Sequence, residues 1–382
     1  MKSLSPIGLG GIMIRILHIV GVMNRAGLET FIMNMYRNLN RKQFSFDFLC
    51  LIKQKGAYDD EIIDLGGEIH YAQIKQYGGI MRHVYNYKFL KNSLEKYRDT
   101  YDVIHIHNYH AFDSYIIAKA AVDAKCKNVI VHSHSTSAEF HKGLHYLFRP
   151  FLNGLNIERL ACSQNAGKWL FGKDNIKVIS NGIDAKKYKY NPQVRDICRE
   201  ELGLKNCYVI GHVGRFEHVK NQLFLCKILP NIQKKISNVK LVFVGEGAER
   251  NDIESFCKEN RLNNVMFLGA RSDVDRLYQA FDLFAFPSFF EGIPLSIIEA
   301  ETSGLPCIVS TGVPNGIDFA KNVYHIELDK PEIWVDIISN FYKKDIDRSQ
   351  NYNLVLMNGY DINNSCRALE QFYTDVIEGD RR

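Results

Sequence analysis

The stretch LFAFPSFFEGIPLSIIEA, residues 283–300, sets the architecture. Leu283–Phe286 is apolar at every position, which fits a strand covered on both faces and not one wetted on one side. Pro287 ends that strand, a loop carries Glu291 and Gly292, and Pro294 suits the first turn of a helix. A buried strand that feeds a helix through a short loop is the repeating unit of a parallel sheet.

The same unit recurs in both directions along the chain. Upstream, short β-rich runs at Ile14–Val20, Phe46–Leu51, Val103–His107, Val129–His132, Leu160–Ser163 and Val178–Ser180 alternate with longer amphipathic segments. A second series comprises Tyr208–Val213, Val239–Val244, Val265–Leu268, Leu283–Phe286 and Cys307–Val309. Two series predict an α/β protein with two doubly wound, Rossmann-like domains facing across a cleft. The polar run from Asp184 to Pro192 places a linker at about residues 184–206. The expected division is 1–190, 191–359, and a terminal helix at 360–382 that returns to the first domain.

At 382 residues and 46% hydrophobic content the chain is long enough for two cores. The net charge of +5 hides an asymmetry: residues 1–190 hold 26 Lys+Arg against 16 Asp+Glu, and the remainder holds 22 against 27. The first half is therefore expected to face something anionic, such as a membrane surface or a phosphorylated lipid carrier. Nine scattered cysteines with no CxxC pair read as core residues in a reducing compartment. The apolar stretch Ile7–Met23 is interrupted by Arg15 and weakened as a helix by Gly8, Gly10 and Gly11, which argues for a strand after a dispensable leader at 1–12 and against a signal peptide. With no other stretch near the length of a membrane span, the expected location is cytoplasmic, with peripheral contact on the inner face of the membrane.

In parallel sheets ligands bind beyond the carboxyl ends of strands, so the loops there carry the chemistry. The amides of Gly292, Ile293 and Leu295 would point from a helix N-terminus toward a diphosphate. Glu291 and Glu299 suit hydroxyl-rich ligands, and Glu299, among Ile297, Ile298 and Ala300, needs a partner. After Tyr208–Val213 come Gly214, Arg215 and, further on, Lys220. A guanidinium fork and a mobile ammonium both suit phosphate, each charged hydrogen bond contributing about 1.5–3 kcal/mol. Together they can stabilise a departing nucleoside diphosphate without a metal ion.

Gly214-Arg215 with Lys220, followed by Glu291 and Glu299, resembles the signature of the retaining GT-B glycosyltransferases of family four. Similar motifs run from about residue 14 to 312: NRAGLE at 24–29, DVIHIH at 102–107, VISNGID at 178–184 and VGEG at 244–247. The resemblance implies a nucleotide-diphosphate sugar as donor, with a UDP-sugar favoured, and a lipid-linked or polysaccharide acceptor in capsule or exopolysaccharide synthesis. It implies that Arg215 and Lys220 grip the diphosphate, Glu291 lies against the donor sugar and Glu299 holds the ribose. It further assigns Gly27 to the approach of the phosphate, His134 to the sugar near the reacting carbon, and Gly269 with Arg271 to the segment that reads the base. Ala26 replaces a usual glycine, and STGVPN at 310–315 departs from the family's Gly-Gly-x-Pro-Glu wording.

His105, His107 and His132 show no metal-ligand spacing with Cys or carboxylate and read as satisfied structural residues. Asp273-Val-Asp275 has the form of a metal-binding D-x-D, but Ser272 reads as an N-cap with both aspartates in the first helical turn. No metal and no cofactor are expected. Basic, aromatic stretches at 75–98 and 140–149 mark segments suited to anionic lipid. The competing readings are a nucleotide-sugar epimerase on the same architecture and a binding protein without turnover. No stacking or zinc motif supports nucleic acid as a partner.

Overall fold

In the computed structural model the residues described are all except 1–12, 26, 76–78, 137–140, 293, 316–317, 320–321, 350 and 380–382. The expected leader, the Ala26 departure and the Ile293 amide therefore lie outside the described residues. The chain divides into two compact units, residues 1–182 with 362–382, and residues 183–361.

Unit 1 runs β1 (Ile14–Val20), α1 (Gly27–Asn38), β2 (Phe44–Cys50), α2 (Asp59–Asp64), β3 (Ile69–Tyr71), α3 (Gly79–Tyr97), β4 (Val103–Asn108), α4 (Ala111–Asp123), β5 (Asn128–Ser133), α5 (Lys142–Asn153), β6 (Glu158–Ala161), α6 (Gln164–Phe171) and β7 (Lys177–Val178). All strands are parallel, in the order β3-β2-β1-β4-β5-β6-β7. Alternation along β1 divides the core. Ile16 and Val20 face Phe31 and Met35 of α1, whereas Leu17 and Ile19 pack with Leu90 and Leu94 of α3. The last helix of the chain, Ile362–Gly379, joins the first of these layers through Leu369 and Tyr373.

Unit 2 holds α7 (Ala185–Tyr188), α8 (Pro192–Glu201), β8 (Tyr208–Val213), a 3-10 turn (His218–Lys220), α9 (Gln222–Lys235), β9 (Val239–Val244), α10 (Arg250–Glu259), β10 (Val265–Phe267), α11 (Val274–Ala280), β11 (Leu283–Phe286), α12 (Leu295–Thr302), β12 (Cys307–Ser310), β13 (Val323–Ile326), α13 (Pro331–Tyr342) and α14 (Asn351–Met357). Its parallel sheet has the order β10-β9-β8-β11-β12-β13. The terminal helix of unit 1 is α15 (Ile362–Gly379).

The division falls at Gly182–Ile183, where the sequence reading puts it at 190. Ile183 pairs with Asp361 in a parallel bridge, which holds the segment after it to unit 2. The span 184–206 is not a linker. Pro192 opens α8 instead of breaking a helix, with the Asn191 side chain accepting from Gln193 and Val194 amides. Arg195 and Arg199 of α8 then reach Asp282 and the carbonyls of Gln279, Ala280 and Phe281 at the end of α11. Cations at a helix C-terminus meet its partial negative charge, which makes this a packed seam. Strands β3 and β13 were not foreseen. β3 is three partly exposed residues and β13 exposes Tyr324, so neither presents a buried apolar run.

Candidate active site

Two loops of unit 2 are tied to each other before any ligand is considered. The backbone amide of Phe289 donates to the Val219 carbonyl at 2.8 Å, and Ser288 Oγ lies 2.8 Å from the same oxygen. Asn221, in the left-handed region at φ 52°, donates through Nδ2 to the Pro287 carbonyl at 3.2 Å. These bonds bring the turn after β8 against the loop after β11. As a result Lys220 Nζ lies 2.6 Å from Glu291 Oε1, with their side chains 19% and 11% exposed. Ser288 Oγ is also within hydrogen-bonding distance of the same carboxylate oxygen, so its one proton serves either Glu291 or the Val219 carbonyl. Lys220 also sits over the Phe286 ring, 5.0 Å from its centroid. A pair this shielded from water is held at fixed geometry with little screening.

Arg215 is on the same turn after β8, five residues before Lys220. Its guanidinium is 2.7 Å from Glu217 and is more than half exposed, leaving donors free for an incoming anion. The crest above β8, β9 and β10 is glycine for a steric reason. A Cβ on Gly245 would lie 2.1 Å from the Gly214 carbonyl oxygen, and the Gly245 amide donates to Gly269 at 2.8 Å. Gly269 itself has φ 71°. No such demand applies to Gly27 or Gly292, where an added Cβ would meet open space.

Glu299 has the partners its apolar neighbours demand. Tyr188 Oη donates to one oxygen at 3.0 Å and Tyr278 Oη to the other at 2.9 Å. Desolvation raises the carboxyl pKa, against the lowering effect of both phenols. Each oxygen of an ionised carboxylate retains a further lone pair, so both can still accept from ligand hydroxyls. Neither tyrosine was foreseen. Tyr188 lies in the segment read as a linker, and Tyr278 looks like an ordinary core residue of α11.

Two readings are corrected locally. Pro294 is the N-cap of α12, which begins at Leu295, so the first helical turn starts one residue later than expected. Asp273, not Ser272, occupies the N-cap position of α11, and Asp273 forms two hydrogen bonds with Arg271 at 2.8 and 2.7 Å. That pair accounts for both Arg271 and the first aspartate of the D-x-D.

In unit 1, Gly27 opens α1 and His134 follows β5. The sequence treated the neighbouring histidines as separate structural residues. The structure gathers five, because His18 on β1, His105 and His107 on β4, and His132 and His134 at β5 occupy alternating positions on one sheet face. His18 and His105 are register partners, as are His107 and His132. His107 Nε2 is 2.8 Å from His18 Nδ1, and His107 Nδ1 is 2.9 Å from His134 Nε2. His105 Nδ1 lies 2.7 Å from Tyr373 Oη. Among the described residues His132 has no hydrogen-bond partner at either nitrogen, so the reading of it as satisfied is overturned. Burial drives all five toward the neutral form, His18 and His134 to about 3. The signal was present as period-two H-x-H in two strands.

Nitrogens of His107, His132 and His134, and of His18, His105 and His107, fall within 4.8 Å of one another. Tetrahedral ligation at about 2.0–2.1 Å would hold nitrogens roughly 3.3 Å apart. The 2.8 and 2.9 Å contacts are instead hydrogen-bond distances.

A cavity of about 460 Å³ opens at the carboxyl ends of β1, β2 and β4 in unit 1. Leu28, Ile52, Leu90 and Ile117 give it an apolar wall, and His107 and Asp113 a polar one. Among the described residues no helix is long and apolar enough to cross a membrane.

Comparison with known proteins places these units. Residues 25–187 match the family model described as glycosyltransferase family 4, and residues 207–344 the model described as glycosyl transferases group 1. A Bacillus subtilis (strain 168) protein described as a glycosyltransferase, EpsF, is 31% identical over 96% of this chain and 98% of its own length. The capsular polysaccharide biosynthesis glycosyltransferase CapH of Staphylococcus aureus is 28% identical, over 94% and 99%. The Escherichia coli UDP-Gal:alpha-D-GlcNAc-diphosphoundecaprenol alpha-1,3-galactosyltransferase is 25% identical, over 95% and 97%. Among solved structures, Anabaena Alr3699/HepE in complex with UDP and glucose superposes with a TM-score of 0.76 at 20% identity, covering 94% of this chain and 99% of that one.

Proposed function

Because the chain belongs to glycosyltransferase family four and has the GT-B fold, we propose that it transfers a sugar from a UDP-sugar to a lipid-linked or polysaccharide acceptor in capsule or exopolysaccharide assembly, with retention and without a metal. The observation that carries this reading is the Lys220–Glu291 pair at 2.6 Å, with the exposed guanidinium of Arg215 on the same turn as Lys220. Arg215 and Lys220 receive the diphosphate, and their charge stabilises it as it departs. Lys220 then serves two partners, so its contact with Glu291 holds the ammonium ready before the donor arrives. Glu291 turns to the donor sugar, and Glu299, braced by two phenols, takes the ribose hydroxyls. Gly269 and its backbone lie at the base.

The relatives support the substrate classes. One is named for UDP-galactose and a diphosphoundecaprenol-linked acceptor, another for capsular polysaccharide, and the solved neighbour is a complex with UDP and glucose. The cavity in unit 1 suits an acceptor with both apolar and hydroxyl surfaces, and the family resemblance assigns His134 to the donor sugar. In retention the acceptor hydroxyl attacks from the side on which the diphosphate leaves, and a phosphate oxygen takes its proton. Exposed Leu144, Leu147 and Phe151 on α5, beside Lys142 and Arg149, suit the interface of an anionic membrane.

The test is a donor screen with UDP-, GDP- and ADP-sugars in the presence of chelator, followed by product analysis with and without acceptor. Binding and slow hydrolysis of one donor, abolished in Glu291→Gln, are expected. Turnover only after metal addition would overturn the metal-independent site, and an isomerised sugar without acceptor would favour an epimerase.

A further inference from the structure

The carboxyl group of Glu299 is held at both oxygens, by hydroxyls from two different helices of unit 2. Tyr188 Oη of α7 stands 3.0 Å from Oε1, and Tyr278 Oη of α11 stands 2.9 Å from Oε2. The backbone that carries Tyr188 is fixed in turn. Its carbonyl accepts from Gln279 Nε2 at 3.3 Å and from Ser303 Oγ at 2.9 Å. Gln279 lies in the last turn of α11 and Ser303 caps α12, so the four-residue helix α7 is tied to the ends of both neighbours. The two tyrosine rings meet edge to face with centroids 5.7 Å apart.

A phenol has a single proton, and Tyr278 Oη has two acceptors at 2.9 Å, Glu299 Oε2 and the Ser296 carbonyl. An ionised carboxylate takes that proton, since a charged acceptor forms the stronger bond. A neutral carboxyl can instead donate to Tyr278, whose own proton then serves Ser296. Tyr188 donates to Oε1 in either case, so the phenols grip the group in both forms. An ionised carboxylate offers about four acceptor sites, two on each oxygen. The phenols take one on each and leave one on each, while Glu299 keeps part of its surface open. Two acceptors on one carboxyl group suit two hydroxyls on neighbouring carbons.

We propose that Tyr188 and Tyr278 are positioning residues that aim the free acceptor sites of Glu299 at the two neighbouring hydroxyls of the donor ribose, and that this pair, not the glutamate alone, makes the site choose a ribonucleotide over its 2′-deoxy counterpart. The contact of Glu299 with ribose rests on the transfer reading above; the grip of the phenols on the carboxyl group does not. A carboxyl group free to rotate follows whichever hydroxyl is present and loses little when the second is missing. A fixed one is left with an unpaired acceptor when the 2′-hydroxyl is absent. Sites built to bond a hydroxyl reject the analogue lacking it for that reason.

The experiment is calorimetric titration of the full-length protein with UDP, GDP and ADP, each beside its 2′-deoxy form. The ribonucleotide that binds is expected to do so on the order of tenfold more tightly than its deoxy form. Tyr188→Phe combined with Tyr278→Phe keeps both rings and their packing. In that variant affinity for the ribo form should fall on the order of tenfold, while affinity for the deoxy form moves less than about threefold. Glu299→Gln should flatten the preference as well. Adding both tyrosine changes to Glu299→Gln should then shift neither affinity by more than about twofold, because the phenols act through the carboxylate. The proposal is overturned by equal weakening of both nucleotides in the tyrosine variant, by a preference that survives there, or by further loss when all three changes are combined. If Glu299→Gln alone still flattens the preference, the ribose reading outlives that failure. A preference absent from the unsubstituted protein or intact in Glu299→Gln, or no binding of any of the three nucleotides, overturns the ribose reading and the proposal with it.

Discussion

His18 and His212 occupy the same place in two similar sheets. Each is the fifth residue of its strand, and β1 and β8 each lie between the second and the fourth strand of their own unit. In unit 2 the neighbouring strand offers Phe284 and Phe286, and His212 donates through Nδ1 to the Ala285 carbonyl at 2.9 Å. It is a solitary core residue, bonded at Nδ1 and with Nε2 unpartnered among the described residues. In unit 1 the neighbouring strands offer imidazoles, and His18 becomes the end of a chain. A position in a fold therefore does not fix a residue's role; the cross-strand neighbours do. The two units also divide their polar chemistry: neutral rings beneath one sheet face in unit 1, paired charges on loops in unit 2.

Acid should separate the units most strongly. Burial depresses the histidines of unit 1 below their ordinary value of 6.5, with His18 at about 3, and His212 of unit 2 to about 4. For a depressed basic group the unfolded chain binds more protons, so its contribution is present above pH 6.5 and lost as pH falls toward the folded value. At about pH 5.5 each buried imidazole costs about 1.4 kcal/mol, on the order of 7 kcal/mol for the five rings of the unit 1 layer against the one fully buried ring, His212, among the described residues of unit 2. Hydrogen exchange, corrected for its intrinsic rate, should show β4 and β5 losing protection before β8 and β9. Equal loss in both sheets would break the contrast.

The charged site should respond next. Lys220→Met removes the ammonium shared by Glu291 and the diphosphate, and kcat should fall by about 10²–10³. Stopped assays with the donor identified in the screen would check this, and a change of less than about threefold would move the diphosphate elsewhere. By contrast Asp273→Asn, in the D-x-D already paired with Arg271, should leave turnover intact.

Structural charge in unit 2 can be tested apart from catalysis. Buried Arg348 donates to the carbonyls of Tyr278, Gln279, Phe281 and Ser303 at 2.8–3.1 Å and stacks over Tyr190. Arg348→Met removes the guanidinium from the Tyr278 and Ser303 carbonyls, while Gln279 and Phe281 keep Arg195, and should cost about 3 kcal/mol in urea unfolding. The smallest effect belongs to the surface of α5. Leu147 and Phe151 are 58% and 55% exposed. Leu147→Asp should weaken flotation with anionic vesicles on the order of tenfold. Equal flotation would place any lipid contact elsewhere.

The core strands were legible because burial on both faces writes a predominantly apolar run. Ile14–Val20, Tyr208–Val213, Val239–Val244 and Leu283–Phe286 have the predicted limits. Edge strands carry no such mark, hence β3 and β13. Lys220 and Glu291 were found as motif residues, but their contact was not, since it depends on the Ser288, Val219 and Asn221 bonds that join two loops 70 residues apart. Tyr188 escaped because a polar neighbourhood concealed a packed turn. The histidine layer escaped for a different reason: each residue was weighed within its own strand, whereas the network exists only across registers.

The route of the chain has a consequence for how the molecule is made. Residues 183–361 are continuous, with Ile183 paired to Asp361, so unit 2 emerges from the ribosome as a complete set of strands and helices. Unit 1 begins first and finishes last. Its sheet is synthesised by Val178, yet Leu369, Phe372 and Tyr373, which cover the face bearing the imidazoles, arrive nearly two hundred residues later. Throughout that interval the nascent first half carries an open apolar face, and a ribosome stalled before Ile362 would release a finished second unit joined to an unfinished first.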